Sequence, residues 1–119
     1  MDEIALYILM RADIASMSSA KKCAQAARAA VICVEGLPLD NSMRNGWGCA
    51  RMLHIHEAEM RSLVAQMCKI GIHAGIVHDP EYRFTDGLVT HSIPLDTCAF
   101  VFDEKARIEP YLRHVPPMP

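Results

Sequence analysis

Lys21, Gln25 and Arg28 fall at i, i+4 and i+7 within SAKKCAQAARAA, a spacing that places side chains on one stripe of a helix. Two cations and an amide on one stripe suit work on an anion, either a phosphate to be held or a carbonyl oxygen that gains charge as a bond breaks. Ser18 and Ser19 stand where such a helix begins, and either can serve as its N-cap. The first helical turn carries unpaired backbone N–H groups and the positive end of the dipole, which add to the same attraction. Arg11, at the end of the preceding apolar run, closes the site from below in this reading, and Lys22 adds a further cation. The same charges also fit a solvated helix face, because charge stripes are common on surface helices.

These side chains need elements to hold them. Residues 4–10 (IALYILM) form a nearly continuous apolar run, as expected of a strand buried on both faces. The spacing predicts a helix over 18–34, with Ala20, Ala24, Ala27, Val31 and Val34 as its packing face. Gly36 and Pro38 stop it, and residues 37–48 read as a loop or a loop with one short helix. A second strand is predicted over 50–56, then a helix over 57–71 with Met60, Leu63, Val64, Met67 and Cys68 on one face and Gly71 near its end. A third strand over 73–78, a polar loop over 79–94, a fourth strand over 97–102, a short helix over about 103–111 and an irregular tail over 115–119 complete the chain. The alternation predicts an α/β fold in one domain over 1–119: a three-layer α/β sandwich, its mixed four-stranded sheet carrying helices on both faces. In such sheets ligands sit where strands end and helices begin, which is where the Lys21 stripe falls.

Composition sets further bounds. The 119 residues, 51% of them hydrophobic, suit one domain with a real core. A formal net charge of -2 excludes the strong overall basic field of a dedicated nucleic-acid binder, so any polyanion site is a local patch. Cys23, Cys33, Cys49, Cys68 and Cys98 contain no CxxC pair, which argues against a disulfide framework or a structural zinc site and for a reduced, cytoplasmic setting. No segment reaches the roughly 18 continuous apolar residues of a membrane span, and Asp2 and Glu3 stand where a signal peptide is basic. His54 and His56 alternate on the second predicted strand without a third ligand, so they read as a structural or surface pair and not a metal site. His78-Asp79 reads as a strand end entering a turn in preference to an oriented imidazole pair. Cys23 reads as a buried thiol in preference to a nucleophile, and Trp47 as a loop anchor in preference to a base-stacking platform.

The run Arg11-x-Asp13-Ile14 followed by Met17-x-x-Ala20-Lys21-x-x-Ala24-Gln25-x-x-Arg28-Ala29 resembles the N-terminal signature of type II peptidyl-tRNA hydrolases, the archaeal and eukaryotic kind. That signature reads Arg-x-Asp-Leu, a Met, then Gly-Lys-x-x-Ala-Gln-x-x-His-Ala, so Ala20 stands in place of Gly and Arg28 in place of His. The family's second block, Asp-Ala-Gly-x-Thr followed by Pro-Gly-x-x-Thr, is matched in part. Pro94 and Thr97 fit, Leu95 replaces the usual Gly, and DEKARIEP takes the place of the Gly-Pro after the last strand. Position after the third strand makes Asp79 the counterpart of the family aspartate, whereas internal spacing favours Asp86-Gly87 with Thr90; both alignments stand.

The resemblance implies a hydrolase that works without a cofactor, cleaving the ester between a peptide and the terminal ribose of tRNA and so recycling tRNA; no metal is expected. It implies Lys21 as the charge facing an oxyanion or a phosphate, Gln25 as the orienter of water or carbonyl, Asp79 or Asp86 as base, and Thr90 or Thr97 as hydrogen-bonding partner. Arg11, Asp13, Ser18, Ser19, Lys22 and Arg28 are the expected substrate-binding residues. The expected partner is the acceptor end of peptidyl-tRNA, with no membrane partner and a homodimer left open. Two other classes stay in view: a protein of the same fold that binds RNA or protein without cleaving, suggested by Ala20, Arg28 and the altered last segment, and a hydrolase of another ester or amide. An active hydrolase needs Arg11, Lys21, Lys22 and Arg28 on one continuous positive surface beside an open cleft, and a tail or 37–48 loop covering that surface favours the binding protein.

Overall fold

The computed structural model describes residues 3–45 and 47–118. Its elements run β1 (Ile4–Arg11), α1 (Ser19–Glu35), β2 (Trp47–Ile55), α2 (Glu57–Lys69), β3 (His73–Asp86), β4 (Val89–Glu104) and α3 (Lys105–Leu112), with a 3₁₀ turn at Ser42–Asn45. The strands form one sheet in the order β2-β1-β4-β3. β1 runs parallel to β2 and antiparallel to β4, which in turn is antiparallel to β3, so the sheet is mixed.

β1 is buried along its whole length, and its alternating side chains feed two cores. Ile4, Leu6, Ile8 and Met10 pack with Met17 and with Ala29 and Cys33 of α1. Ala5, Tyr7 and Leu9 pack with Met60, Leu63, Val64 and Met67 of α2 and with Ile108 and Leu112 of α3. One helix therefore covers one face and two cover the other, which is the expected three-layer α/β sandwich. The acidic first turn of α2 (Glu57, Glu59) and Lys69 in its last turn both complement its dipole. Among the described residues no helix is long and apolar enough to cross a membrane.

Three expectations are corrected. The predicted polar loop over 79–94 is a hairpin: β3 and β4 stay paired from His73↔Phe102 out to Asp86↔Val89, turning at Gly87 with φ +62°. The packing face of α1 is Gln25, Ala29 and Cys33, with Ala26 and Ala30 partly buried, while Ala20, Ala24, Ala27 and Val31 are exposed. The tail is not irregular throughout, because His54 N–H donates to the Pro116 carbonyl, Met118 N–H donates to that of Met52, and Leu53 bridges Pro117. It thereby covers the outer edge of β2, a device that removes an open strand edge. Two cysteines also depart from their expected places: Cys23 and Cys68 are exposed, whereas Cys33 and Cys98 are buried. The side chain of Trp47 lies outside the described residues.

Ala29 is wholly buried where α1 meets the sheet. Ala29→Leu is expected to cost about 1–3 kcal/mol by overpacking, and Ala27→Leu, on the exposed side, less than about 0.5 kcal/mol. Urea unfolding of the two variants checks this.

Candidate active site

Two irregularities in the β3–β4 ladder assemble the site. Val77 pairs with Cys98 but His78 pairs with Asp96, so Thr97 is an extra residue in β4; Asp79 pairs with Leu95 but Tyr82 with Ile93, so an extra residue lies in β3 near Pro80 and Glu81. A bulge reverses which side chains face each side of a sheet. Cys98, Phe100 and Phe102 point toward α1, so strict alternation would turn Thr97 away from it. The bulge turns Thr97 toward α1, and the second bulge does the same for Tyr82 beside Asp79. Pro80, lacking an N–H, suits a position where ladder pairing is interrupted.

On this platform Gln25 is clamped at both ends. Thr97 Oγ1 donates to Gln25 Oε1 at 2.7 Å, and Gln25 Nε2 donates to Asp79 Oδ2 at 2.8 Å. Thr97 is fully buried and Gln25 is 7% exposed, so Thr97 stands behind the amide and fixes its orientation. Asp79 Oδ1 accepts the Glu81 N–H at 2.9 Å and lies 3.4 Å from Arg28 Nη1. Burial pushes the Asp79 carboxyl up, but the hydrogen bonds from Glu81 and Gln25 and the charges of Arg28 and His78 outweigh it and hold the group below its ordinary range. Asp79 is thus an ionised carboxylate of fixed direction.

Lys21 completes the arrangement from the first turn of α1. Ser18 caps this helix through its side chain, which accepts the Lys21 N–H at 3.3 Å; Ser19 follows as the first helical residue and is exposed. No acidic residue occupies the first turn, so its positive end is not neutralised locally. Lys21 Nζ donates to the carbonyls of Ser16 (3.2 Å) and Arg83 (2.7 Å) and sits 5.0 Å above the centre of the Tyr82 ring. An ammonium has three donors, so these bonds fix its position and leave one N–H free to turn to a ligand. Tyr82 is held in turn by a 2.9 Å hydrogen bond between its hydroxyl and that of Ser16. Lys21, Ala24, Gln25, Asp79, Glu81, Tyr82 and Arg83 line an open cleft of about 210 Å³.

The structure leaves other candidates outside this cleft. Asp86 and Thr90 lie at the hairpin tip, where Thr90 meets Thr85 across the strands at 3.5 Å. Asp86 is seven residues beyond Asp79, roughly 20 Å along an extended strand. Arg11 is no free cation: it pairs with Asp13 (2.9 and 3.1 Å), with Glu57 Oε2 (2.7 Å) and with the Asp96 carbonyl (3.0 Å). Arg11 and Asp13 therefore pin the end of β1 to α2 and β4, and the expected surface of four continuous cations is not formed. Lys22 turns to the other flank, 3.2 Å from His54 Nε2. His56 caps α2 after β2 has ended, so the two histidines do not share a strand face. His78 pairs with Asp96 Oδ1 at 2.7 Å and sits within a continuing strand, neither entering a turn nor orienting toward Asp79. Among the described residues, none of the 37–48 segment or of the tail lines the cleft.

Sequence reasoning missed Tyr82, Ser16 and the Arg83 carbonyl. The first two carry no motif, and the third is a backbone group that any residue supplies. The family departures are accommodated: Ala20 is exposed, Arg28 reaches Asp79, and Leu95 is half-buried opposite it. Burial drives the Cys33 and Cys98 thiols up to about 12 and about 11, so both stay protonated and neither serves as a nucleophile at neutral pH.

Asp13, Asp79 and Asp96 all have depressed carboxyl pKa values, Asp13 chiefly through its Arg11 hydrogen bond and Asp96 through that of Arg61. An unfolded chain binds these protons at higher pH than the folded one. The stabilisation is therefore complete above the ordinary carboxylate value of about 4 and is lost as pH falls through the lower folded values. The urea midpoint is expected to hold from pH 7 to 5 and to drop below about pH 4; a midpoint independent of pH would contradict these pairings.

The family model described as "Peptidyl-tRNA hydrolase PTH2" matches residues 4–115. The comparison with curated proteins gives no match.

Proposed function

Because the chain belongs to the peptidyl-tRNA hydrolase PTH2 family, we propose that it hydrolyses the ester joining a peptide to the terminal ribose of tRNA, at the cleft between α1 and the β3–β4 hairpin. The observation that carries this reading is the Thr97–Gln25–Asp79 chain of hydrogen bonds, which aims an ionised carboxylate into an open cleft beside Lys21.

Each group has a role that its surroundings support. Asp79, held ionised, accepts a hydrogen bond from water and directs the water oxygen at the ester carbonyl carbon. Its depressed pKa makes it a weak proton store, so it orients the water and offsets the positive charge that develops on it. The remaining N–H of Lys21 meets the carbonyl oxygen as that atom becomes an oxyanion. The carbonyl carbon then regains its double bond, the bond to the ribose oxygen breaks, and a proton originating on water ends on that oxygen. Gln25 and Thr97 act as positioning residues, and Arg28, which spends one nitrogen on Asp79 and the His78 carbonyl, keeps its other guanidinium donors for a phosphate of the acceptor end. No step calls on a cofactor.

The Arg28–Asp79 contact of 3.4 Å, where the family signature has His, favours the second reading of an RNA-binding protein that does not cleave. Purified protein in excess over labelled peptidyl-tRNA separates the two. Release of peptide is expected, with apparent affinity falling as salt rises by a log-log slope of about -0.7 per single-strand phosphate contact. Salt-sensitive binding without release would establish the binding reading, and equal rates on a small peptidyl ester lacking tRNA would favour the hydrolase of another ester.

A further inference from the structure

On the opposite face of the sheet a second cavity, of about 370 Å³, is lined by Tyr7, Arg51, Leu53, Glu109, Leu112, Arg113, Val115 and Pro117. Three parts of the chain build it. Tyr7 of β1 lies beside Arg51 of β2 in the parallel register, and Leu53, two residues on, shares the face of Arg51. Glu109 and Leu112 of α3 and Arg113, its C-cap in helical conformation, fall at i, i+3 and i+4, on one side of the helix. The tail supplies Val115 and Pro117 and is fastened there by its hydrogen bonds to β2.

Tyr7 is 3% exposed, and among the described residues its hydroxyl is the one buried side-chain polar atom without a hydrogen-bond partner. Leaving such a group unpaired costs free energy that native folds rarely bear without a reason. Burial raises the phenol pKa, as does the charge of Glu109; the Arg51 guanidinium, close enough to the hydroxyl to act on it but making no hydrogen bond of proper geometry, and the charge of Lys105 oppose this without reversing it, so the hydroxyl stays protonated and able to donate. Two guanidinium groups and one carboxylate give the lining a net charge of +1, and Leu53, Leu112, Val115 and Pro117 form an apolar wall.

We propose that this cavity is a binding site for a small apolar monocarboxylate, of about amino-acid size, whose carboxylate accepts hydrogen bonds from the Tyr7 hydroxyl and the Arg51 guanidinium while its hydrocarbon part lies against Leu53, Leu112, Val115 and Pro117. A single negative charge matches the lining; a phosphate dianion would bring excess charge against Glu109. The volume is that of a small-molecule pocket and leaves no room for a folded partner. The site is separate from the hydrolytic cleft and does not depend on the reading of that cleft.

The test uses 4-methylpentanoate as probe, with neutral 4-methylpentanamide as its isostere, followed by backbone NMR of the full chain. Saturable shifts clustered at Tyr7, Arg51, Leu112 and Val115 are expected with the carboxylate and not with the amide. Tyr7→Phe is expected to weaken binding about tenfold, the effect of losing a hydrogen bond to a charged group, without lowering the melting temperature, because it removes an unpaired hydroxyl. Arg51→Met, at an exposed position, is expected to weaken it at least as much. Equal binding of amide and carboxylate, unchanged affinity in both variants, or no saturable shift with either probe, as for a cavity that holds only water, would overturn the proposal.

Discussion

Asp79→Asn is expected to lower the single-turnover rate on peptidyl-tRNA by about a hundredfold or more, the usual contribution of a positioned carboxylate acting on water. The substitution is nearly isosteric. Asn retains an oxygen to accept from Gln25 or from the Glu81 N–H, so fold and cleft geometry should survive. What is lost is the negative charge that directs the water and offsets its developing charge. Binding of tRNA should not weaken, since Asp79 repels phosphates and its removal frees Arg28. A rate within a few-fold of wild type, at unchanged binding, would remove Asp79 from the mechanism.

Lys21→Met is expected to lower kcat by about 10²–10³-fold, the loss typical of removing one donor to an oxyanion, with a smaller change in KM because the interaction strengthens as the ester breaks. Met keeps an apolar stem beside the Tyr82 ring, but the ties to the Ser16 and Arg83 carbonyls are lost. Circular dichroism melting must therefore accompany the kinetics. Lys22→Met is the internal control: its ammonium faces His54 on the other flank, so it should leave kcat nearly intact and weaken long-range attraction slightly. Equal losses for the two variants would mean that α1 offers only a diffuse positive surface.

Much of this arrangement was legible in the residues. The apolar run of β1 announces a strand buried on both faces, Ser18 and Ser19 both mark the start of α1, where Ser18 proves to be the cap, and the spacing of Met60, Leu63, Val64, Met67 and Cys68 announces the buried face of α2, from which only Cys68 departs. Lys21 and Gln25 were read onto one stripe, and they line one cleft. The packing face of α1 was misread because six alanines lie on every side of that helix, so periodicity cannot choose among them. The burial of Gln25, a polar residue satisfied by Thr97 and Asp79, selects the face, and those partners are 54 and 72 residues away. The hairpin was read as a loop because most of its outer residues are exposed on both sides, which leaves no apolar alternation to follow. Asp86-Gly87 is itself a hairpin signal, and it marks the turn between the two strands. Arg11 looked like a surface cation because the carboxylate of Glu57, which helps bury it, lies on another element.

The pH dependence of kcat for peptidyl-tRNA cleavage, measured side by side for the wild type and Gln25→Leu, tests most directly whether Gln25 holds Asp79 poised at the cleft. In the wild type the acid limb should lie below the ordinary carboxylate value of about 4, because the folded Asp79 carboxyl is depressed. Gln25→Leu removes one donor to that carboxylate while leaving it buried, so the limb should move to higher pH and the plateau should fall. Cleavage by the wild type with an acid limb at the same pH in both proteins, or no cleavage at all, would contradict the assignment.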